Sequence, residues 1–128
     1  MNKISCINVS KTFFIENNSI KVLDNISLSI QKGELVAISG QSGAGKSTLL
    51  HIMASLDSAS SGKIIYDDNP IENNTNATLS NIRLNNFGFV YQFHHLLEDL
   101  TVLENIMIPA QLANNDNHMN AYDIIEEV

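Results

Sequence analysis

The stretch Gly40-Gln41-Ser42-Gly43-Ala44-Gly45-Lys46-Ser47-Thr48 constrains this chain more than any other. It follows an unbroken apolar run, Leu35-Val36-Ala37-Ile38, and it opens a segment with helical spacing. A strand, then G-x-x-x-x-G-K-S, then a helix is the phosphate-binding P-loop in the context its chemistry requires. Glycines allow φ > 0, so successive backbone N–H groups turn toward one anion. A helix starting near Lys46 adds a partial charge of roughly +0.5 at its N-terminus. In such a loop Lys46 reaches the β- and γ-phosphates and the Ser47 hydroxyl ligates Mg²⁺. A ligand-free glycine turn is the competing reading, and spacing and context together set it aside.

The length, 128 residues, is that of one ordinary domain, and 44% hydrophobic content is enough for a core. Seven Lys and Arg against fourteen Asp and Glu give a net charge of −7. That balance excludes nucleic acid as a partner and makes anionic lipid a poor one. Binding at a membrane would therefore need another protein, and the positive field at a nucleotide would be local to the loop. A lone cysteine, Cys6, in an apolar stretch reads as a buried, inert thiol in a reducing compartment. No apolar run is long enough to span a bilayer. Asparagine-rich stretches at 73–76 and 114–120 read as solvated loops.

Lys3–Val9 predicts a first strand, continued by Thr12–Ile15 after a kink. Asn17-Asn18-Ser19 marks a hairpin turn, with the return beginning at Val22-Leu23. Ile26, Leu28 and Ile30 alternate onto one face, the period of a half-buried antiparallel strand. Lys32-Gly33 then turns into Leu35–Ser39, whose continuous apolar run predicts a strand buried on both faces. Beyond the loop, Leu49, Ile52, Met53 and Leu56 form one helical stripe that ends in the polar run Asp57–Gly62. Lys63–Tyr66 reads as a strand turned at Asp67-Asp68-Asn69-Pro70, and Leu79–Leu84 as a short helix. Phe87-Gly88-Phe89-Val90-Tyr91 reads as an aromatic-rich strand ending at Gln92. Thr101-Val102-Leu103-Glu104 is a capping box opening a helix that Pro109 should bend or interrupt, and Ala121–Val128 is a last helical segment.

In this order the features resemble the nucleotide-binding subunit of an ATP-binding cassette (ABC) transporter. The matching pieces are Lys11-Thr12-Phe13, Val22–Ser27 ahead of Gly33-Glu34, the P-loop, Ser61-Gly62-Lys63-Ile64 and Gly88-Phe89-Val90-Tyr91-Gln92. The resemblance implies an α/β fold, a P-loop NTPase (RecA-like) core with an antiparallel β subdomain and the start of a helical subdomain. It divides the chain at 1–92 and 93–128. It implies that Phe13 stacks on adenine, where the family more often carries tyrosine; strand alternation lets only one of Phe13 and its neighbour Phe14 face the base. It implies that Gly40, Gln41, Ser42, Gly43, Ala44, Gly45, Lys46, Ser47 and Thr48 hold ATP. Gln92 corresponds to the family's Q-loop glutamine, which approaches Mg²⁺ or the attacking water, so Lys46 and Gln92 are the catalytic candidates and Ser47 and Gln92 the metal candidates.

Phe93–Ile106 resembles the same region in the ATPase of bacterial lipoprotein-releasing ABC systems, with Glu98 where proline is frequent. That branch implies ATP hydrolysis coupled to lipoprotein release, a homodimer, and membrane-spanning subunits docked through 93–106 at the cytoplasmic side of the inner membrane. Macrolide-type and cell-division exporters are the neighbouring alternatives. Adjacent His94 and His95 point opposite ways on an extended chain, and with His51 and His118 also isolated no metal cluster is expected. The family's L-S-G-G-Q signature, its Asp-Glu strand and its switch histidine do not occur; Asp123–Glu127 is helix-like and does not supply the second. The expectation is an amino-terminal part of such an ATPase, inactive alone, with exposed apolar surface and an unpaired sheet edge. A nucleotide-binding module without turnover is the other reading. A P-loop kinase is disfavoured, because a hairpin precedes the loop and Arg83 is the only arginine.

Overall fold

A long hairpin dominates the first half of the chain. In the computed structural model, which describes residues 3–16, 18–72, 74–93, 95–113 and 118–126, β1 (Lys3–Ile15) pairs antiparallel with β2 (Asn18–Gln31). The expected kink in β1 is a series of register shifts between Cys6 and Thr12, with Asn8 at φ 51, and the strand carries through it. The turn is tighter than expected. Ile15 pairs with Asn18 and Phe14 with Ser19, so the return begins at Asn18, not at Val22, and the loop is the two-residue Glu16-Asn17. Two-residue loops match the twist of the strands they join; Glu16 has φ 52, while Asn17 lies outside the described residues. Ile26, Leu28 and Ile30 are half-buried between exposed neighbours, as their alternation predicts.

The other edge of β1 carries β3 (Ser61–Tyr66), followed by the two-residue β4 (Asn69–Pro70), for a strand order β2-β1-β3-β4. Only Asp67 and Asp68 form the turn, with φ of 46 and 67, the paired positive values of a tight hairpin turn. Asn69 and Pro70, expected within it, already belong to β4, at whose edge a proline's missing N–H costs little. Val9, Cys6, Ile4, Leu23, Ile64 and Tyr66 are buried, and burial pushes the Cys6 thiol up to about 11, which keeps it protonated and inert.

On β1 and β2 packs α1 (Lys46–Met53), burying Leu49, Ile52 and Met53. Leu56 does not complete the stripe: it is 44% exposed, because α1 stops first. Ser55 takes φ 56, its N–H bonds the Ile52 carbonyl, and the Leu56 N–H reaches back to His51 at 2.8 Å. That pair of bonds is a Schellman ending built without glycine. The Tyr66 hydroxyl donates to the Met53 carbonyl, satisfying another acceptor at the helix end.

Two expected strands are not strands. Leu35–Ser39 joins no strand ladder among the described residues, and Leu35 is fully exposed. Phe87–Tyr91 likewise joins no strand ladder among the described residues, and Val90 is fully exposed. An apolar run is buried as a strand only when other strands flank it, and among the described residues neither segment has such flanking strands. The rings of Phe87, Phe89 and Tyr91 stack in succession, their centres 6.1 and 5.5 Å apart.

The chain divides into two units, Met1–Leu79 and Ser80–Val128, the division falling inside α2 (Asn76–Asn86). This helix starts before Leu79 because the Thr75 hydroxyl accepts from the Thr78 N–H at 3.2 Å. In the second unit α3 (Val102–Leu112) packs with α4 (His118–Glu126), and Met107 and Ala121 are buried. The capping box at Thr101 and Glu104 is present as expected, and its hydrogen bonds hold the Glu104 carboxyl below its usual range. Pro109 does not interrupt α3, which runs on to Leu112; Ala113 still donates to the Pro109 carbonyl at 3.1 Å. Asn76 and residues 118–120 are helical rather than loop, while Asn73 and 114–117 lie outside the described residues, as do the last two of the expected helix Ala121–Val128.

Gly62 faces the β1 bulge at φ 90, where a Cβ would lie 2.3 Å from the Asn8 carbonyl oxygen and 2.6 Å from Val9 Cα. Both obstacles are backbone, so Gly62→Ala should destabilise the chain by at least about 2 kcal/mol. Gly88→Ala, with open space around it, should leave the thermal melt unchanged or slightly raised.

Candidate phosphate-binding site

The loop before α1 is pressed directly onto β2. Gly45, the N-cap, sits at φ 84 and ψ 8, and a Cβ there would stand 2.8 Å from the Val22 carbonyl oxygen and 2.9 Å from Leu23 Cδ2. Only glycine combines that conformation with that approach. The first intrahelical bond runs from Leu49 N–H to the Gly45 carbonyl at 2.9 Å. The N–H groups of Lys46, Ser47 and Thr48 therefore have no partner inside the helix. Among the described residues no side chain caps α1, and no acidic residue stands in its first turn, so the helix dipole there is unopposed.

Lys46 bends back over the start of the loop, its Nζ donating to the carbonyls of Gly40 at 2.9 Å and Gln41 at 2.7 Å. Among the described residues no carboxylate pairs with it. A phosphate oxygen is a stronger acceptor than either neutral carbonyl, so the ammonium is placed to exchange one for the other. Ser42, Gly43 and Ala44 form the exposed crest, closed by Ala44 N–H to the Gln41 carbonyl at 3.2 Å. Ser47 is exposed in the first turn and Thr48 lies beside it. Ser47 offers a single oxygen, and among the described residues no three His, Cys, Asp or Glu gather as a metal cage. That donor set suits Mg²⁺, which keeps waters and takes further oxygens from the phosphates it accompanies.

Phe13 lies on β1 opposite Ile20 and is 39% exposed; Phe14, opposite Ser19, is 80% exposed. Beside Phe13 lies a residue to which the sequence alone assigned no role. Lys11 is buried, with its Nζ bonded to Asp57 Oδ1 and to the Ser58 carbonyl, both at 2.7 Å, and 4.9 Å from the centre of the Phe13 ring. The available signal was its place two positions before Phe13 in an apolar strand.

Gln92 is exposed and belongs to the second unit, whereas Phe13 and residues 40–48 belong to the first. Close to Gln92 in sequence, Phe93, Leu96, Leu97, Val102 and Ile106 line an open groove of about 680 Å³. Asn105 holds its wall: its side chain accepts from Leu97 N–H at 2.9 Å and donates to the carbonyls of Leu97, Leu100 and Thr101. His95 packs edge-on against Tyr91, and His94 lies outside the described residues.

The family model for ABC transporters matches residues 23–128. This chain belongs to that family. Its similar relatives include two lipoprotein-releasing system ATP-binding proteins LolD. The one from Buchnera aphidicola is 39% identical over 98% of this chain and 56% of its own length. The one from Rickettsia bellii is 46% identical over 99% and 55%. The chain thus spans about half the length of the curated relatives it matches. Among solved structures it resembles the dimeric ABC transporter cassette MJ0796, with a TM-score of 0.81 and 38% identity over 85% of this chain and 47% of that one. A dimeric post-hydrolysis state of the same cassette, bound to ADP and Pi, matches with a TM-score of 0.86 and 32% identity over 96% and 56%. The fold of this ABC family member is accordingly that of an α/β P-loop NTPase with an antiparallel β subdomain. No helix among its described residues is long and apolar enough to cross a membrane.

Partial burial pushes the Asp57 carboxyl up, but the hydrogen bonds from Lys11 and the Ser58 N–H, with the charges of Lys11 and His51, outweigh it and hold the group below its usual range. A depressed carboxyl contributes stability that is complete above its unfolded value, about 3.9, and is lost as pH falls through the folded one. Melting temperature should therefore drop below about pH 4, and Asp57→Asn should flatten that part of the profile while leaving a lower plateau at neutral pH.

Proposed function

We propose that this protein is the ATP-binding subunit of an ABC transporter that couples ATP hydrolysis to release of lipoproteins from the cytoplasmic membrane. The observation that carries the ATP-binding part is the loop at 40–48: a helix start with no side-chain cap beside an ammonium that, among the described residues, bonds only to loop carbonyls. Gly40, Gln41, Ser42, Gly43, Ala44, Gly45 and Thr48 would cradle the phosphates with Lys46, while Phe13 supplies an apolar face for adenine. Ser47 would hold Mg²⁺, with Gln92 supplying a second oxygen near the attacking water; the metal's part is to neutralise charge developing on the phosphates. The lipoprotein assignment is supported by the relatives' names.

A homodimer is supported by the dimeric cassette it resembles. We place membrane-spanning subunits at the groove lined by Phe93, Leu97 and Ile106, which is apolar and held open by Asn105. In this reading the nucleotide-binding core spans 1–92, a helical subdomain begins at 93, and the protein works peripherally at the cytoplasmic face of the inner membrane.

Lys46→Ala in the intact protein should lower ATP affinity at least about tenfold and phosphate release by roughly 10²–10³-fold. Gln92→Ala should reduce turnover with little change in affinity. Calorimetry and a phosphate-release assay read both. ATP binding that ignores Lys46→Ala would overturn the site; binding with no phosphate release by the intact protein would favour a module without turnover.

A further inference from the structure

We propose that Lys11 is a positioning residue that fixes the Phe13 ring relative to the phosphate loop, so that the site favours a whole nucleotide over its bare phosphate chain. This rests on the reading of Phe13 as the base platform. A lysine 8% exposed in a strand must have its charge satisfied on every side. Two of its directions are taken by Asp57 and the Ser58 carbonyl, and its Nζ also stands 4.9 Å from the Phe13 ring centre. That last contact is a cation–π pair, and it restricts the orientation of the ring.

The other two contacts link the ring to α1. Asp57 and Ser58 lie just beyond the end of that helix. Across the sheet Lys11 pairs with Leu23, whose side chain meets Gly45 at the helix start. Thr12 and Ser60 add a further tie, with Thr12 N–H donating to Ser60 Oγ at 3.0 Å. Lys11 thus touches the base platform directly and both ends of the phosphate-binding helix through one intermediary each. A ring already held in place loses less freedom when a base stacks on it. Phe14, 80% exposed, has no comparable support among the described residues. An ion pair serving stability alone would tie Lys11 to Asp57 without any consequence for the base.

Titration of the intact protein with ATP and with inorganic tripolyphosphate separates these roles. Phe13→Ala should weaken ATP and leave tripolyphosphate unchanged. Lys11→Met, which keeps the apolar stem, should weaken ATP by roughly five- to tenfold with tripolyphosphate within about twofold, and Lys11→Arg should restore most of the difference. Asp57→Asn, which keeps the cation but removes the charge that ties it beyond the helix, should show the same selective loss and serves if Lys11→Met melts. An equal loss for both ligands, or none, in folded Lys11→Met or Asp57→Asn overturns the positioning role. An unchanged ATP affinity in Phe13→Ala overturns the platform reading itself, so the two failures are distinguishable.

Discussion

The phosphate loop stands where it does because a short helix is clamped at both ends. α1 has eight residues, fewer than persist as helix in water without tertiary support. At its start the Gly45 backbone lies against the Val22 carbonyl and Leu23; beyond its end Asp57 is bonded to Lys11, and the Tyr66 hydroxyl takes the Met53 carbonyl. Between those ends Leu49, Ile52 and Met53 fill the sheet face. The N–H groups of Lys46–Thr48, free of intrahelical partners as at any helix start, are held in place by this clamping. Their direction is set by β1, β2 and β3, which contribute nothing to the loop's own sequence.

What the sequence discloses is what local chemistry decides. The P-loop spacing, the alternation of Ile26, Leu28 and Ile30, and the Thr101–Glu104 box each depend on residues within a few positions of one another, and each is present. The misreadings share the opposite property. Leu35–Ser39 and Phe87–Tyr91 have strand composition, but strand pairing is decided by segments far away in the chain, and neither joins a ladder among the described residues. Ser55 ends α1 in a left-handed conformation more usual for glycine, so Leu56 never joins the stripe its spacing suggests. Lys11 is illegible for the same reason: its partner Asp57 is 46 residues away.

The electrostatics of the site also follow from this arrangement. A chain carrying −7 overall should repel a triphosphate, yet charges beyond roughly 8–10 Å are screened at physiological salt. What counts is the immediate surroundings of the loop. There the first turn of α1 carries no acid, and Lys46 has only neutral carbonyls for partners among the described residues. Lys11, by contrast, spends its charge on Asp57 and adds little to the field. The two lysines divide the work: one cation is neutralised in the sheet and orders an aromatic ring, and the other is left uncompensated where phosphate charge would arrive. Exchanging their environments would ruin both, since a neutralised Lys46 would not attract an anion and an unpaired Lys11 would not remain buried.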